Sequence, residues 1–328
     1  MTPMPLQVRI LDEPNRTHLA HLRAHLSPGV ALSVGRELPA NPAYQILVAS
    51  RPGRQHVTAS PDLQALVIPF AGLPQQTQAL MRDFPHIAVH NLHHNAPAAS
   101  ELAIGLMLAA AKLVVPCDRA LRRHDWTPRY RPEPSVLLAE RTALILGYGA
   151  VGRRVGHACR GLGMEVIATR RTSPYEPLEG IYPPKALQSL LPRANVLIIA
   201  LPLTRETRAL IGEKELALMP SNSVLVNVGR GPIVDEASLF CALEDGTLHA
   251  AGLDVWYRYP EDETVRSSTP ASAYPFHELD NVVMSPHRAG SGGNEEIELR
   301  RMACLSRLLN IAAAGDDMPN RVDVDAGY

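Results

Sequence analysis

The chain has few cysteines, few aromatic residues and almost no net charge. Its 328 residues include four cysteines, 5% aromatic residues and a formal net charge of -1. No two cysteines have CxxC spacing, so neither a zinc ribbon nor a disulfide framework is indicated, and the reduced thiols of a cytoplasmic protein are expected. A near-neutral chain also has no bulk field that attracts nucleic acid or anionic lipid, so we expect neither partner.

Long apolar runs are missing as well. The N-terminal stretch MTPMPLQVRILDEP carries Arg9 and Asp12 where a signal peptide needs its apolar run. The longest apolar stretch, LAIGLMLAAA from Leu102, is too short to cross a bilayer and predicts a buried helix. With 46% hydrophobic residues in a chain of this length, two domains with cores of their own are expected.

Short apolar runs alternate with helical patterns along the whole chain. Near the N-terminus, runs such as VALSV and ALVIPF are separated by helical stretches such as QQTQALMRDF. Strands that are apolar throughout and separated by helices indicate a parallel sheet covered on both faces. A second series of strands, from TALILG to NVVMS, has the order and lengths of a Rossmann-like domain.

We therefore predict an α/β protein with two Rossmann-like or flavodoxin-like domains, each built on a parallel sheet. The substrate-binding domain is expected to comprise residues 1–95 and 290–328, and the dinucleotide-binding domain residues 96–289. A buried helix is predicted from about Pro97 to Val115. The last helix, from about Asn294 to Ala314, has no strand left to pair with in the second domain, so it is expected to cross back to the first.

A glycine turn follows the strand TALILG directly and precedes a helical pattern. In GYGAVG the first glycine permits the tight turn, the second lets a pyrophosphate approach the backbone, and the third lets the helix pack on the strand. The N-terminus of that helix supplies N–H donors to the phosphates, so a bound dinucleotide is predicted. The predicted contacts are Gly147, Tyr148, Gly149, Ala150, Val151 and Gly152.

The strand after the glycine turn ends in an arginine rather than an acid. An NAD site carries Asp or Glu at this point for the ribose diol, and Arg170 cannot accept those hydrogen bonds. Guanidinium groups suit a 2′-phosphate, so Arg170, Arg171 and Thr172 favour NADP(H). The alternative is a pair of solvated arginines beside an NAD site, and NAD(H) binding therefore stays open.

From about Leu63 onwards, one motif after another resembles the D-isomer-specific 2-hydroxyacid dehydrogenase family. The motifs HNAPAASELAIG, GYGAVG, ALPLTRETRALIG, VNVGRGPIVDEASL, GLDVW and ELDNVVMSPHRAG agree with it in order and spacing. The resemblance implies an oxidoreductase that transfers a hydride between a nicotinamide and C2 of a small 2-oxo or 2-hydroxy acid. It also implies a homodimer that uses the helix beginning near Pro97.

Two residues receive catalytic roles from the resemblance, and their chemistry suits those roles. Arg230 follows the strand SVLVNVG at the carboxyl edge of the predicted sheet, where an arginine can grip a carboxylate and polarise a carbonyl. His287, in SPHRAG, is a suitable proton donor to the alkoxide that hydride addition forms. Two alternatives stay open, namely an Arg230 that pairs with Asp235 and a His287 that is only structural.

Further contacts are implied by the resemblance alone. PFAGLP matches the family's substrate loop, in which the N–H groups around Ala71 and Gly72 would hold the substrate carboxylate, and Asn95 is expected to face the substrate. No metal site is predicted, although His93 and His94 are adjacent, because no acidic or cysteine partner is near. The remaining cofactor contacts implied are Leu201, Pro202, Thr207, Val228, Asp254, His287 and Ala289.

One position departs from the family pattern. The family has a glutamate that hydrogen-bonds the catalytic histidine and raises its pKa, and Tyr259 holds that place here. Either Glu261 or Glu263 of the longer following loop replaces it, or no carboxylate serves His287. Two further functions stay open for this reason: a formate-like small-anion dehydrogenase, and a catalytically weak NAD(P)H-sensing protein of the same fold.

Overall fold

The structure of the protein is a computed structural model that describes residues 4–131, 135–171, 180–290 and 293–328. The chain separates into two compact units. Unit 1 comprises Met1–Asn95 and Ser291–Tyr328, and unit 2 comprises Ala96–Gly290.

Strands and helices alternate through both units, as the sequence pattern predicts. The strands are β1 (Leu6–Ile10), β2 (Val30–Val34), β3 (Ile46–Val48), β4 (Ala65–Ile68), β5 (Ala88–Asn91), β6 (Thr142–Leu146), β7 (Glu165–Thr169), β8 (Ile181–Tyr182), β9 (Val196–Ile199), β10 (Val224–Asn227), β11 (Ala250–Leu253) and β12 (Val282–Met284). The helices are α1 (Arg16–Ala24), α2 (Arg54–Thr58), α3 (Gln75–Met81), α4 (Ala96–Ala111), α5 (Val114–Leu121), α6 (Thr127–Tyr130), α7 (Ala150–Gly161), α8 (Leu187–Leu190), α9 (Glu213–Ala217), α10 (Glu236–Glu244) and α11 (Glu295–Ala313).

Unit 1 is built on a five-stranded parallel sheet with the order β2-β1-β3-β4-β5. This order is that of flavodoxin-like folds. The last helix, α11, packs on α1, and its Leu305 and Leu309 share a core cluster with Val8 and Val67 of the sheet. The prediction that the last helix crosses back to the first domain is confirmed.

The C-terminal tail covers the β5 edge of this sheet. His90 lies opposite Arg321 in an antiparallel bridge, and the Val322 N–H donates to the Val89 carbonyl at 2.7 Å. The tail thus satisfies backbone groups that an edge strand would otherwise leave unpaired.

Unit 2 is built on a seven-stranded parallel sheet with the order β12-β11-β10-β9-β6-β7-β8. Because β6 pairs with both β7 and β9, the direction of winding reverses at β6. Ligands of such sheets bind outside the carboxyl ends of the strands at this switch point. The glycine turn follows β6 and therefore lies there, and the Rossmann-like fold predicted for this part of the chain is confirmed.

The single helix predicted from Pro97 to Val115 is in fact two helices. α4 ends at Ala111, and Leu113 has a φ of 50°, in the left-handed region that a right-handed helix cannot continue through. α5 then begins at Val114, bent by 68° from α4. In the part of the chain that the structure describes, no single helix is long and apolar enough to cross a bilayer, although α4 and α5 reach that length and composition together.

Candidate active site

The glycine turn after β6 has the backbone that its sequence predicts. Gly147 has a φ of 93°, and a Cβ on it would lie 2.7 Å from the Ala200 carbonyl oxygen. A Cβ on Gly152 would lie only 2.0 Å from the Gly147 carbonyl oxygen. Both positions therefore require glycine, the first for its conformation and the second for the close contact between helix and turn.

Gly149 differs from these two glycines, because it borders open space instead of a close contact. It is the N-cap of α7, no side chain caps this helix, and nothing lies within 4 Å of a Cβ built on it. The space before the first N–H groups of α7, those of Ala150 and Val151, is therefore open. These donors at a helix N-terminus fit the pyrophosphate of a dinucleotide. The Tyr148 side chain is buried, and its hydroxyl accepts from Arg160 at 3.2 Å, so a contact of Tyr148 with a cofactor stays a prediction.

Arg170 follows β7, whose last residue accepts hydrogen bonds from the glycine turn: the N–H groups of Gly147 and Tyr148 both lie 3.2 Å from the Thr169 carbonyl oxygen. The half-buried Arg170 side chain has no ion pair within the described residues. Arg171 is exposed, and Thr172 lies outside the described residues. That these residues make the protein prefer NADP(H) over NAD(H) stays a prediction.

The loop after β9 also lies against the glycine turn. A Cβ on Gly147 would approach the Leu201 side chain to 3.1 Å. The Thr207 hydroxyl donates to the Pro202 carbonyl at 2.7 Å and accepts from the Thr204 N–H at 2.8 Å, so it closes the turn of this loop. A contact of Thr207, or of the half-buried Val228, with a cofactor stays a prediction.

Arg230 is held at the end of β10 by a residue that the sequence analysis did not single out. Asn227 is buried, its Oδ1 accepts from the Gly229 N–H at 3.0 Å, and its Nδ2 donates to the Arg230 carbonyl at 3.1 Å. The Arg230 side chain is exposed. It does not pair with Asp235, which instead caps α10 by accepting from the Ser238 N–H at 2.9 Å.

His287 sits after β12 in a loop that Asp254 holds. The Asp254 carboxylate is fully buried, and its Oδ1 accepts from the Ser285 hydroxyl at 2.5 Å and from the Arg288 N–H at 2.7 Å. Its Oδ2 accepts from the Ala289 N–H at 2.8 Å. These bonds fix the loop on both sides of His287, whose φ of 56° lies in the left-handed region. The family resemblance implies that Asp254 contacts the cofactor, near its nicotinamide. The structure shows a residue that positions His287, and the nicotinamide contact stays a prediction.

Three neighbouring strands bring the polar groups of this site together. Arg230, Asp254 and His287 follow β10, β11 and β12, which are adjacent in the sheet. Although His287 is exposed, the protein around its ring desolvates it and lowers its pKa. The positive charge of Arg230 lowers this pKa further, and the negative charge of Asp254 opposes the shift. A cation and a titratable imidazole are thus both accessible at the carboxyl edge of the sheet.

Comparisons with known proteins agree with this geometry. Residues 104–289, more than half of the chain, match the model of the D-isomer specific 2-hydroxyacid dehydrogenase NAD binding domain. The chain belongs to the D-isomer specific 2-hydroxyacid dehydrogenase family. It is 37% identical over 235 residues to the glyoxylate reductase of Aeropyrum pernix, an alignment that covers 69% of this chain and 66% of that enzyme. The chain therefore spans just under two thirds of the length of this relative.

Two solved structures share the fold over nearly the whole chain. A family member from Xanthobacter autotrophicus Py2, in complex with NADPH and MES, has a TM-score of 0.78 at 24% identity and covers 99% of this chain and 100% of its own. A putative formate dehydrogenase from Pyrobaculum aerophilum has a TM-score of 0.77 at 26% identity, with the same coverage of both chains.

Tyr259 stands where the family resemblance implies a glutamate, and it contacts His287 differently. The two ring centroids are 5.5 Å apart, with an angle of 56° between the rings. The Tyr259 hydroxyl accepts from the backbone N–H of Trp256 at 3.1 Å. The phenol therefore lies against the imidazole with its ring rather than with its hydroxyl, and it supplies no negative charge to hold a proton on His287.

No carboxylate of the longer loop takes over this role in the described residues. Glu263 pairs with Arg266 at 2.8 Å, Glu261 is exposed, and neither forms an ion pair with His287. The structure thus favours the alternative in which this family member has no carboxylate partner for the histidine.

The segment that resembles the family's substrate loop belongs to unit 1. The Asn91 side chain fixes it by donating to the Ala71 carbonyl at 2.6 Å. Within the described residues, the N–H groups of Ala71 and Gly72 have no hydrogen-bond acceptor, which suits donors that await an anion. Asn95 is half-buried. The contacts of these residues with a substrate stay predictions.

Proposed function

We propose that the protein is an NADP(H)-dependent reductase of small 2-oxoacids. The observation that carries this proposal is the placement of two exposed side chains at the carboxyl edge of one sheet. Arg230 follows β10 and His287 follows β12, the two strands that flank β11, and the glycine turn of the same sheet opens onto the N-terminus of α7. Arg230 pairs with the substrate carboxylate and polarises the C2 carbonyl. A nicotinamide cofactor held at the glycine turn, residues 147–152, would supply the hydride that C2 receives. His287 gives its proton to the carbonyl oxygen, so that the product is the 2-hydroxy acid.

The test is consumption of NADPH and NADH by the purified protein with glyoxylate, hydroxypyruvate, pyruvate and phenylpyruvate. We expect at least one of these 2-oxoacids to be reduced, with NADPH preferred over NADH. Arg230→Gln is expected to raise KM, and His287→Gln to lower kcat by about 10²- to 10⁴-fold. Arg141→Gln, a change at an exposed arginine that precedes β6 at the end opposite to the glycine turn, is the control. Turnover that survives loss of both Arg230 and His287 would contradict the assigned roles.

The preference for NADPH rests on Arg170 and Arg171. Loss of one charge-assisted hydrogen bond to a phosphate is expected to lower kcat/KM for NADPH about 10- to 100-fold in Arg170→Asp, with a much smaller change for NADH. Arg193→Asp is a matched control, because Arg193 pairs with Glu165 at the opposite end of β7. Equal losses with both cofactors would instead indicate an NAD(P) site that does not distinguish the 2′-phosphate.

A second candidate function is oxidation of a small anion, such as formate, that requires no proton to be removed. It is favoured because no carboxylate of the described residues forms an ion pair with His287, and by the similarity to the putative formate dehydrogenase. Formation of NADPH from NADP⁺ and formate, without reduction of any 2-oxoacid, would support it. Binding of NADPH without turnover of either substrate class would instead indicate a sensing protein.

We also infer a homodimer. We place the expected interface on the segment that follows the helix beginning near Pro97, because half of the residues of that helix, α4, are already buried within unit 2. The segment that follows exposes large apolar side chains, which favour burial against a second copy. Light scattering should therefore show that the wild type is a dimer and that the double variant Leu121→Glu, Trp126→Glu is a monomer. A monomeric wild type would refute the inference. The exposed side chains are those of Val114, Leu121, Trp126, Tyr130 and Leu137.

A further inference from the structure

A cavity of about 510 Å³ lies in unit 1 at the amino edge of its sheet. Its floor includes the first residues of four strands: Leu6, Ile46, Ala65 and Ala88. The candidate substrate loop leaves the opposite end of β4, so the length of this strand, roughly 10 Å of extended backbone, separates it from the cavity. The cavity is therefore not part of the candidate active site, and its size is in the range of small-molecule sites.

One wall of the cavity contains a buried histidine. His90 is 4% exposed, and its Nδ1 lies 2.9 Å from the Pro319 carbonyl oxygen. Because a carbonyl can only accept, Nδ1 carries the proton, and Nε2 is left as an acceptor for the cavity that the residue lines. Burial and the nearby charge of Arg321 lower the pKa of His90, although its bond to Pro319 opposes them, so the ring is neutral near neutral pH.

The same cavity is lined by charges of both signs that do not pair. Arg321 lies opposite His90 in the antiparallel bridge, so the two side chains share one face. Asp316 and Asp317, in the turn after α11, line the cavity as well. Within the described part of the chain, none of these three charged side chains has an ion pair or a side-chain hydrogen bond. A ligand of one charge would match one sign and leave the other facing it, whereas a zwitterion matches both.

We propose that this cavity binds a small α-amino acid with an uncharged side chain. Its carboxylate pairs with Arg321. Its ammonium group donates to the Asp316 and Asp317 carboxylates and to Nε2 of His90, which all accept hydrogen bonds. Its side chain lies on the apolar floor formed with Ile46 and Met318.

The test is isothermal titration of the full-length protein with glycine, L-alanine, L-valine and L-leucine. Isovalerate and isobutylamine, which are valine without its ammonium group and without its carboxylate, serve as half-ligands. We expect saturable binding of valine at least about tenfold tighter than that of either half-ligand, because each lacks one charged contact. No saturable binding of any amino acid, or equal binding of isovalerate, would overturn the proposal.

Variants place the binding in this cavity. Arg321→Gln and, separately, the pair Asp316→Asn and Asp317→Asn are each expected to weaken valine binding about tenfold or more. Asp316 and Asp317 are exposed, so their substitution should not disturb the fold. The double variant therefore still tests the site if Arg321→Gln disturbs the tail. Arg82→Gln, which breaks an exposed contact with Asp325 of the same tail, should bind valine as the wild type does.

A separate variant tests whether valine binds at the candidate active site instead of in this cavity. Arg230→Gln should leave valine binding unchanged, because Arg230 belongs to unit 2. Loss of valine binding in Arg230→Gln, or unchanged binding in both cavity variants, would show that the amino acid binds elsewhere and would refute the site.

Discussion

The backbone N–H of His287 donates to the carbonyl oxygen of Asp254 at 2.7 Å, and the Asp254 carboxylate accepts from the next two N–H groups along the chain. Asp254 therefore acts on His287 through the backbone. In Asp254→Asn the new amide NH₂ cannot accept, so at least one buried donor of the loop loses its partner.

We expect Asp254→Asn to lower the free energy of unfolding by about 1–3 kcal/mol, measured by urea denaturation, and to lower kcat. Because the Asp254 charge raises the pKa of His287, its loss should also move the pH dependence of reduction to lower pH. Asp245→Asn, at an exposed loop acid, is the control. A pH profile identical to that of the wild type would show that Asp254 does not act on the histidine.

The pH dependence of reduction should follow the lowered pKa of His287. Reduction needs a protonated imidazole, so its rate falls as pH rises through this pKa, and a lowered pKa places that fall on the acid side of an ordinary histidine. Tyr259→Glu puts a carboxylate beside the ring, favours the imidazolium and should move the fall to higher pH. Tyr259→Phe keeps the ring contact and should leave the profile unchanged. Superimposable profiles for Tyr259→Glu and the wild type would contradict this account.

Because the space around Gly149 is open, a substitution there should change cofactor binding without changing folding. A Cβ on Gly149 meets nothing within 4 Å in the protein, so Gly149→Ala should fold normally but raise KM for the cofactor, because the methyl group occupies the approach of the pyrophosphate. Gly161→Ala, at the end of the same helix and equally open, should not change KM. Gly152→Ala should lower thermal stability, because its Cβ would overlap the turn. Equal KM values for Gly149→Ala and Gly161→Ala would count against a dinucleotide at this turn.

His94 should make the fold sensitive to acid. Burial, followed by the charge of Arg301, lowers the pKa of His94 from 6.5 to about 4, and its Nδ1 has no hydrogen-bond partner among the described residues. Below pH 6.5 His94 is protonated in the unfolded chain but stays neutral in the folded chain. The free energy of unfolding therefore decreases as pH falls toward 4. This amounts to about 2 kcal/mol between pH 7 and pH 5. His94→Gln should remove that part of the pH dependence of urea unfolding, whereas His86→Gln, at an exposed histidine, should retain it.

The sequence predicted the parts of this protein that depend on periodicity and on glycine. Continuous apolar runs predicted buried parallel strands, and the spacing of Gly147, Gly149 and Gly152 predicted a turn whose backbone the structure shows. Hydrogen bonds between distant segments carry no such local signal. The Asn227 bonds to its own loop and the Asp254 bonds to residues 285–289 depend on which loops the sheet brings together. The left-handed Leu113 was missed because a leucine is not a residue type that favours that conformation.

The pairing of residues 320–322 with β5 also bears on solubility. An uncovered edge strand presents a row of N–H and C=O groups on which a strand of another molecule can assemble. β5 (Ala88–Asn91) is the edge strand of its sheet, and residues 320–322 of the C-terminal tail occupy its free edge. Residues 320–322 therefore block the addition of a strand from another molecule. A change that displaces them would favour aggregation before it unfolded the core.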